Sequence, residues 1–395
     1  MNTQIPNILH VITRLDRGGS ATNTITCADA LRKHGFTTAI LYGRTRDPDN
    51  SIRERLENLR IRHVSLRNLL RNPSPLNDLV ALLQMRSLMR QGTFDIVHTH
   101  SSKAGVLGRI AAHSAGIPAV HTPHGHVFYG YFGRVLTNVF VLAERRMARV
   151  TERIVSLTDA ETRESLQHDI GTPEQYVTIP SGVRISSFRS PDSETGREFR
   201  KRHNIPVHAV LFVSIGRLVP VKGFDILLEA FKQAEFGGQE VLLAIVGDGP
   251  EQQKLKRLAA SPAISGRVRF VEPMSDVRPA LSAADIFALA SRNEGMGRAF
   301  VEAMASGLPV IGAAVGGVPS LIEDGKNGLL VEAGNRRVMA RAMEALALKP
   351  DLRLEMGKKA GDSVYPEYDE ETMVTRLASL YREVLRNAGG YSRVS

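Results

Sequence analysis

Residues 291–317 read SRNEGMGRAFVEAMASGLPVIGAAVGG, and the rest of the chain is organised around this stretch. Glu294 and Glu302 stand eight positions apart, separated by the turn Gly295-Met296-Gly297 and the start of a helix-like run from Arg298 to residue 306. Eight positions are a little over two helical turns, so we expect Glu302 inside the helix and Glu294 before its N-terminus. The amides of such a helix start bind anions. Carboxylates beside an anion site predict a ligand with phosphate and hydroxyl groups, such as a nucleotide sugar.

Buried-strand patterns alternate with amphipathic helices along the whole chain, which at 395 residues is too long for one typical domain. This alternation predicts two α/β domains with parallel sheets. The segment 186–196 is rich in Ser, Pro and charge and has no periodicity, so we interpret it as a linker. The domains are then 1–185 and 197–369, and the helix at 370–387 is expected to pack back on the first. The predicted strands are 7–13, 37–42, 61–66, 94–98, 119–122, 153–157, 177–179, 209–215, 240–246, 267–271, 285–289, 309–313 and 328–331.

The formal net charge of +10 lies almost entirely in residues 1–190, which hold 24 Lys and Arg against 15 Asp and Glu. Arg recurs among apolar residues at 51–90, so this Arg-rich region is the candidate for a membrane or acceptor surface, with an ordinary solvated face as the alternative. No nucleic-acid-binding motif accompanies the charge, so we expect no nucleic acid partner. The sequence shows no signal peptide and no 18-residue apolar run. It predicts a cytoplasmic protein, with peripheral attachment to the inner face of the cell membrane left open.

Histidines cluster after two predicted strands, in VHTHSSKAG at 97–105 and VHTPHGHVFYGYFG at 120–133. In a doubly wound sheet, ligands bind at the carboxyl ends of the strands. The His-x-His pairs at 98–100 and 124–126 lack a nearby carboxylate and fit no zinc spacing, so we expect no metal. The single Cys27 excludes a cysteine cluster, and Asp47-Pro48-Asp49, the only D-x-D, is interpreted as a turn.

Residues that could bind a phosphate group follow the first predicted strand of each half of the chain. Arg217 and Lys222 come after the strand at 209–215, and a guanidinium with an ammonium suits a diphosphate, although two solvated loop cations are the alternative. Gly18 and Gly19 come after the strand at 7–13 and before a helix, which is a phosphate-binding pattern or a plain turn. Neither the dinucleotide fingerprint G-x-G-x-x-G nor a P-loop occurs in the sequence.

Four segments of the second half of the chain, two of which overlap residues 291–317, resemble a known family. They are GRLVPVKGFDILLEAF at 216–231, VGDGPEQQKL at 246–255, LSAADIFALASRNEGMGRAFVEAMASGLPVIG at 281–312 and GGVPSLIEDGKNGLLV at 316–331. Together they resemble the retaining glycosyltransferases of family 4, whose E-x7-E signature is met by Glu294 and Glu302. The N-terminal glycine pair and the TPHG segment at 122–125 are similar to that family too, so the resemblance covers nearly the whole chain. The segment TPHGHVFYGYFG is similar to a bacterial branch linked to surface-polysaccharide synthesis.

The resemblance implies a GT-B fold, in which two Rossmann-like domains face a cleft, the second holding a nucleoside-diphosphate sugar and the first the acceptor. It implies that Arg217 and Lys222 bind the diphosphate and stabilise the leaving group. The amides from Gly297 to Ala299, including that of Arg298, would assist, and Gly19, with Gly18, would close on the phosphates. Glu302 would accept hydrogen bonds from the ribose hydroxyls.

For Glu294 the resemblance implies contacts with hydroxyls of the donor sugar, and for His124 a contact near the reacting centre. Gly295 belongs to the same turn, and Met296 stands where the family often has Phe, so we expect Met296 to act through its backbone. The resemblance also implies a metal-independent transfer without cofactor, by front-face attack of an acceptor hydroxyl with retention of configuration. A carboxylate nucleophile, as in retaining glycosidases, stays open.

The predicted function is transfer of a sugar from a nucleotide-sugar donor, with UDP expected from the family's habits, to a lipid-linked or polysaccharide acceptor. Cell-surface polysaccharide synthesis is the expected setting. One alternative is a GT-B-fold enzyme of another reaction, such as a nucleotide-sugar epimerase or a phosphorylase, although no pyridoxal-phosphate lysine motif stands out. The alternative from another class is a non-catalytic basic binding protein.

Overall fold

The computed structural model describes residues 5–16, 18–44, 51–125, 134–189 and 192–389. The chain divides into two compact units. The first comprises Met1–Gly182 with Glu370–Ser395, and the second comprises Val183–Asp369.

The first unit contains, within its described residues, a seven-stranded parallel sheet in the order β3-β2-β1-β4-β5-β6-β7. Its strands β1 to β7 are Asn7–Ile12, Thr37–Gly43, Arg62–Leu66, Ile96–His100, Ala119–Thr122, Arg153–Ser156 and Tyr176–Thr178. Its helices α1 to α6 are Gly19–Ala30, Ser51–Asn58, Pro75–Gln91, Ser102–Ser114, Arg134–Ala148 and Asp159–Gln167, and the last helix of the chain, α15, is Glu370–Asn387.

The second unit contains a six-stranded parallel sheet among the residues that the structure describes, in the order β10-β9-β8-β11-β12-β13. Its strands β8 to β13 are Val210–Ile215, Val241–Val246, Val268–Val271, Ile286–Leu289, Val310–Ala313 and Gly328–Val331. Its helices α7 to α14 are Ser193–Arg202, Phe224–Gln233, Gln252–Ala259, Arg278–Ala283, Arg298–Ala305, Val318–Leu321, Arg336–Leu348 and Pro350–Ser363.

Both sheets have their first strand in the interior, so each sheet contains a point where the strand order reverses. That point lies between β1 and β4 in the first unit and between β8 and β11 in the second. Interior strands of such parallel sheets are covered on both faces, which explains continuous apolar runs such as VLLAIV in β9, where every residue is buried. The prediction of two α/β units with parallel sheets is confirmed. Loops at the carboxyl ends of the strands beside a reversal point are the usual ligand positions.

Helix α15 packs on the sheet of the first unit. Its buried face includes Leu377 and Tyr381, which share one apolar cluster with Ile8 of β1 and Ile96 of β4. Tyr381 is fully buried, and its hydroxyl is hydrogen-bonded to Nδ1 of His98, 2.6 Å away. Burial of the apolar face of α15 is therefore part of the core of the first unit.

Some local predictions differ from the structure. The described residues of the segment 186–196, the predicted linker, belong to the second unit, and α7 begins at Ser193, where Asp192 accepts hydrogen bonds from two first-turn amides. Strand β4 continues to His100 because that residue pairs with Ile12 of β1 and Thr122 of β5. His100 therefore lies in the strand, not beyond it. Among the described residues, no helix is long and apolar enough to cross a lipid bilayer.

Candidate active site

The loops after β8 and β11 meet at the reversal point of the second sheet. The Arg292 amide donates a hydrogen bond to the Val221 carbonyl at 2.7 Å. Gly223 has a φ of +64°, and a Cβ atom there would lie 1.8 Å from the Ala290 carbonyl oxygen. Only glycine allows both this conformation and this approach. The close approach brings the short 3-10 helix Pro220–Lys222 against the loop that carries Glu294.

Lys222 and Glu294 form an ion pair in this position. Nζ of Lys222 lies 2.6 Å from Oε1 of Glu294, and the Ser291 hydroxyl donates to the same oxygen at 2.7 Å. The Glu294 side chain is 8% exposed and that of Lys222 25%. No described residue donates a hydrogen bond to Oε2 of Glu294, so this oxygen is available to a ligand hydroxyl. Ser291 had no role in the sequence prediction, and no spacing rule singles it out.

The backbone of Glu294 is held by the loop after β12. The Gly317 amide donates to the Glu294 carbonyl at 3.2 Å. Gly316 has a φ of +51°, and a Cβ there would lie 1.8 Å from the same carbonyl oxygen. Gly316 is therefore a second residue of the site that the sequence prediction missed. The signal for it was a Gly-Gly pair after a predicted strand, which by itself indicates only a turn.

Helix α11 begins beside Glu294, as predicted. Its N-cap residue, Gly297, has a φ of +91° and no side chain with which to cap the first turn. The first-turn amides, such as that of Ala299, therefore suit an anion. Met296 is buried, and Gly295 beside it is half-buried.

Glu302 lies inside α11, also as predicted, but its partner was not foreseen. Arg298 Nε donates to Glu302 Oε1 at 2.9 Å, one helical turn away. The i, i+4 spacing of these two residues was the available sequence signal. Burial raises the pKa of Glu302, and the neighbouring Arg298 opposes that rise. No described residue donates to Oε2, so Glu302 combines a protein partner with one oxygen open to a ligand.

Arg217 lies on a loop that is tied to the loop after β9. The Leu218 amide donates to the Asp248 carbonyl at 2.6 Å. A Cβ on Gly249 would lie 2.4 Å from the Leu218 carbonyl oxygen, so the two loops are in close contact. The Arg217 side chain is exposed, and it forms no hydrogen bond or ion pair with any described residue. It is a cation on an ordered loop at the same edge of the sheet as Lys222.

Gly18, Gly19 and His124 belong to the first unit. Gly18 is the N-cap of α1, and both glycines are exposed. A Cβ on Gly19 would meet no atom of the described residues within 4 Å. His124 follows β5 with a φ of +60°, a conformation that is uncommon for residues other than glycine. His126 and the Asp47-Pro48-Asp49 segment lie outside the described residues.

Three imidazoles of the first unit, which we call the histidine relay, are joined by hydrogen bonds. His10 Nδ1 lies 3.0 Å from His100 Nε2, and His100 Nδ1 lies 2.9 Å from His124 Nε2. Burial lowers the pKa of His10 to about 3 and that of His124 to about 4. Burial and the neighbouring histidines also hold the pKa of His100 well below its usual range. All three rings are therefore neutral at physiological pH.

Two histidines of the relay and the neighbouring His98 form a geometric candidate for a metal site, because nitrogens of His10, His98 and His100 lie within 4.8 Å of one another. Both nitrogens of His98 are already hydrogen-bonded, to Tyr381 and Thr122, and both nitrogens of His100 bond within the relay. A metal ion would have to displace these bonds. The donor set therefore fits a buried hydrogen-bond network better than a metal ion.

Two family models match the chain. The one described as Glycosyltransferase Family 4 matches residues 17–187, and the one described as Glycosyl transferases group 1 matches residues 196–362. The first match falls mainly in the first unit and the second lies within the second unit.

Curated relatives are similar over most of the chain. UDP-Gal:alpha-D-GlcNAc-diphosphoundecaprenol alpha-1,3-galactosyltransferase of Escherichia coli is 29% identical over 323 residues, covering 81% of this chain and 83% of that protein. D-inositol 3-phosphate glycosyltransferase of Corynebacterium glutamicum is 26% identical over 390 residues, covering 94% and 93%. The structure of Anabaena HepE in complex with UDP and glucose has a TM-score of 0.82 at 23% identity, covering 96% of this chain and 100% of that chain. At that identity the structural likeness shows the fold. The chain belongs to the glycosyltransferases with the GT-B fold, and it consists of a Glycosyltransferase Family 4 domain followed by a Glycosyl transferases group 1 domain.

Proposed function

We propose that this enzyme transfers a glycosyl group from a UDP-sugar to a lipid-linked or saccharide acceptor, with retention of anomeric configuration, in cell-surface polysaccharide synthesis. The observation that carries the proposal is the preformed Lys222–Glu294 pair beside the uncapped start of α11. It places a cation, a carboxylate oxygen and the amides of a helix start at the reversal point of one sheet. These are the groups that a diphosphate joined to a sugar requires.

The similar proteins support the donor and the acceptor. Anabaena HepE was crystallised with UDP and glucose and with UDP-glucose. The Escherichia coli relative uses UDP-Gal and acts on a diphosphoundecaprenol-linked sugar. We therefore assign a UDP-sugar as donor, and a lipid-linked sugar is the first acceptor to test.

The chemistry follows from the charges of the second unit. The bond between the anomeric carbon and the diphosphate oxygen breaks, and negative charge builds up on the leaving diphosphate. Lys222, the exposed Arg217 and the amides of α11 stabilise that charge without a metal ion. The acceptor hydroxyl bonds to the anomeric carbon, and its proton passes to the diphosphate oxygen.

Glu294 has a holding role in this scheme. Its Oε1 is bound by both Lys222 and Ser291, and its carbonyl is hydrogen-bonded to the loop after β12. A carboxylate restrained in this way positions sugar hydroxyls through Oε2, and it is a poor candidate for the nucleophile of a double displacement. Glu302 receives the ribose hydroxyls through its own open oxygen.

The Arg-rich region of the first unit supports peripheral attachment to an anionic membrane. Helix α3 exposes Leu76, Leu79, Val80 and Leu83, which stand at helical spacing on one face and are between 40% and 80% exposed. Arg90 lies on the same helix, about two turns after Leu83. Exposed apolar side chains with cations nearby favour the surface of an anionic lipid bilayer.

One incubation tests the function. Purified protein is mixed with a panel of nucleoside-diphosphate sugars, with and without bacterial lipid extract, and release of UDP or GDP is followed. We expect UDP release that depends on the extract, and a product whose anomeric proton coupling shows retention. Release should persist with EDTA and be lost in Glu294→Ala and Lys222→Ala. Conversion of the donor to an epimer without any acceptor would support a nucleotide-sugar epimerase instead.

A further inference from the structure

We infer that the histidine relay sets the tautomer of His124, so that its Nδ1 carries a proton and presents a hydrogen-bond donor. His10 and His100 are the positioning residues in this inference. They act on a ligand only through His124. The consequence for the ligand rests on the proposed function, but the tautomer itself does not.

The geometry of the relay is that of an in-plane chain. The His10 and His100 rings have centroids 5.3 Å apart and an angle of 20° between their planes, and His100 and His124 have 5.1 Å and 28°. The joined nitrogens are 3.0 and 2.9 Å apart. Rings that are nearly parallel at these centroid distances meet edge to edge, with nitrogen facing nitrogen. Each contact therefore needs one N–H and one lone pair.

Three neutral imidazoles can satisfy both contacts in only two ways. In one arrangement, Nδ1 of His10 donates to His100, and Nδ1 of His100 donates to His124. In the other, every proton sits on Nε2 and the bonds run in the opposite direction. Mixed arrangements place two protons, or two lone pairs, against each other.

The buried end of the relay selects between the two arrangements. His10 Nε2 is buried and has no hydrogen-bond partner among the described residues. In the first arrangement His10 Nε2 carries no proton and only its lone pair lacks a partner. In the second arrangement it carries a proton, and this N–H group has no acceptor. An unpaired N–H group is the rarer and costlier defect in protein interiors. The first arrangement is therefore favoured, and it leaves the proton of His124 on Nδ1, which has no partner among the described residues.

The consequence is a restriction on what His124 can bind and do. An Nδ1–H group recognises an acceptor atom, such as a hydroxyl oxygen of a sugar or an oxygen of a phosphate. It cannot take a proton from an acceptor hydroxyl at that nitrogen, so His124 is a binding and orienting residue and not a general base.

Long-range 1H–15N correlation spectra of protein labelled with 15N-histidine test the inference directly, because the nitrogen shifts distinguish the two tautomers. The His124→Gln variant assigns the His124 signals. We expect wild-type His124 and His100 to carry their protons on Nδ1. Nε2-protonated His124 in the wild type would overturn the inference, whatever the enzyme's activity proves to be.

Two variants at position 100 form a matched pair. In His100→Asn the side-chain amide takes the place of Nδ1 and can still donate to His124, whereas in His100→Phe it cannot. We expect His124 to keep its Nδ1 proton in His100→Asn and to gain the Nε2 tautomer that free imidazole prefers in His100→Phe. Turnover should fall about tenfold more in His100→Phe than in His100→Asn, which corresponds to one lost hydrogen bond. An equal fall with an unchanged His124 tautomer would contradict a positioning role.

Discussion

Nζ of Lys222 and Oε1 of Glu294 lie 2.6 Å apart, although 72 positions separate the two residues in the sequence. The pair joins the loop after β8 to the loop after β11, the two loops at the reversal point of the second sheet. Since Glu294 is nearly buried and Lys222 is not, the cation keeps access to a ligand while it neutralises the carboxylate. The pair therefore presents a neutralised carboxylate and an accessible cation on one side of the proposed donor site.

Removing both charges of the Lys222–Glu294 pair should recover part of the stability that is lost when only Lys222 is replaced. It should not recover the activity. Lys222→Met should destabilise the second unit by about 1–3 kcal/mol, because it leaves a buried carboxylate with Ser291 alone. Adding Glu294→Gln removes that charge and should recover part of the loss, as measured by urea unfolding. Turnover should fall at least about 100-fold in each single variant and stay low in the double variant. Recovered turnover in the double variant would show that the pair is structural only.

Gly316→Ala should displace Glu294. The new Cβ would lie 1.8 Å from the Glu294 carbonyl oxygen, so the loop must move. The matched control is Gly334→Ala, at a φ of +76° with nothing within 4 Å of the Cβ. Both variants carry the strain of a positive φ, about 1–2 kcal/mol, but only Gly316→Ala should reduce turnover by more than tenfold. Equal turnover in the two variants would refute the proposed restraint of Glu294.

Glu302→Ala should weaken UDP binding about tenfold, because one hydrogen bond to a ribose hydroxyl contributes about 1–1.5 kcal/mol. Isothermal titration of UDP into the purified protein measures this. Arg298→Ala is the control, since it removes the Glu302 partner and leaves the carboxylate in place. A larger loss of UDP affinity in Arg298→Ala than in Glu302→Ala would assign the contact to the arginine.

The first unit should lose stability in mild acid before the second. Burial holds the pKa of His10 at about 3 and that of His124 at about 4, below the ordinary value of 6.5. The unfolded chain therefore binds these protons at a higher pH than the folded chain does. The stability that these two neutral histidines contribute to the first unit is fully present above pH 6.5. It is lost as the pH falls towards their folded-state pKa values, at about 1.4 kcal/mol per pH unit for each histidine.

Hydrogen exchange with peptide resolution measures this difference, after correction for the intrinsic exchange rate at each pH. Peptides from β4 and β5 should lose protection between pH 6.5 and 5. Peptides from β8 and β9 serve as the internal control, because the second unit contains only His203 and His208. The same loss in both units would mean that carboxyl groups, and not the buried histidines, cause the acid sensitivity.

The exposed face of α3 should bind anionic vesicles. Leu79→Ser with Leu83→Ser removes two exposed leucines and should reduce sedimentation with phosphatidylglycerol vesicles at least about tenfold. The control is Leu354→Ser in the second unit, a leucine of α14 that is more exposed than Leu79 or Leu83. Vesicles of phosphatidylcholine should bind weakly, and raised salt should release the protein. Equal binding by all variants would exclude this surface as the membrane contact.

Local sequence patterns determined most of the secondary structure. The uninterrupted apolar run at 241–246 indicates a strand covered on both faces, and the structure has one there. The spacing of Glu294 and Glu302 around Gly297 predicts a carboxylate before a helix and another inside it, and the structure confirms both positions. These features depend only on residues that are close together in the sequence, so the pattern of residue types along the chain is enough to predict them.

The partners of the functional side chains depend on tertiary structure. Lys222 meets Glu294 only because β8 and β11 are neighbours in the sheet, and His10 meets His100 only through the register of β1 and β4. Strand order and register decide such contacts, and neither is written in the spacing of residues along the chain. The sequence alone determined the residue types of the donor site and the elements that carry them. The fold decided which oxygen of each glutamate stays open to a ligand and which nitrogen of His124 carries its proton.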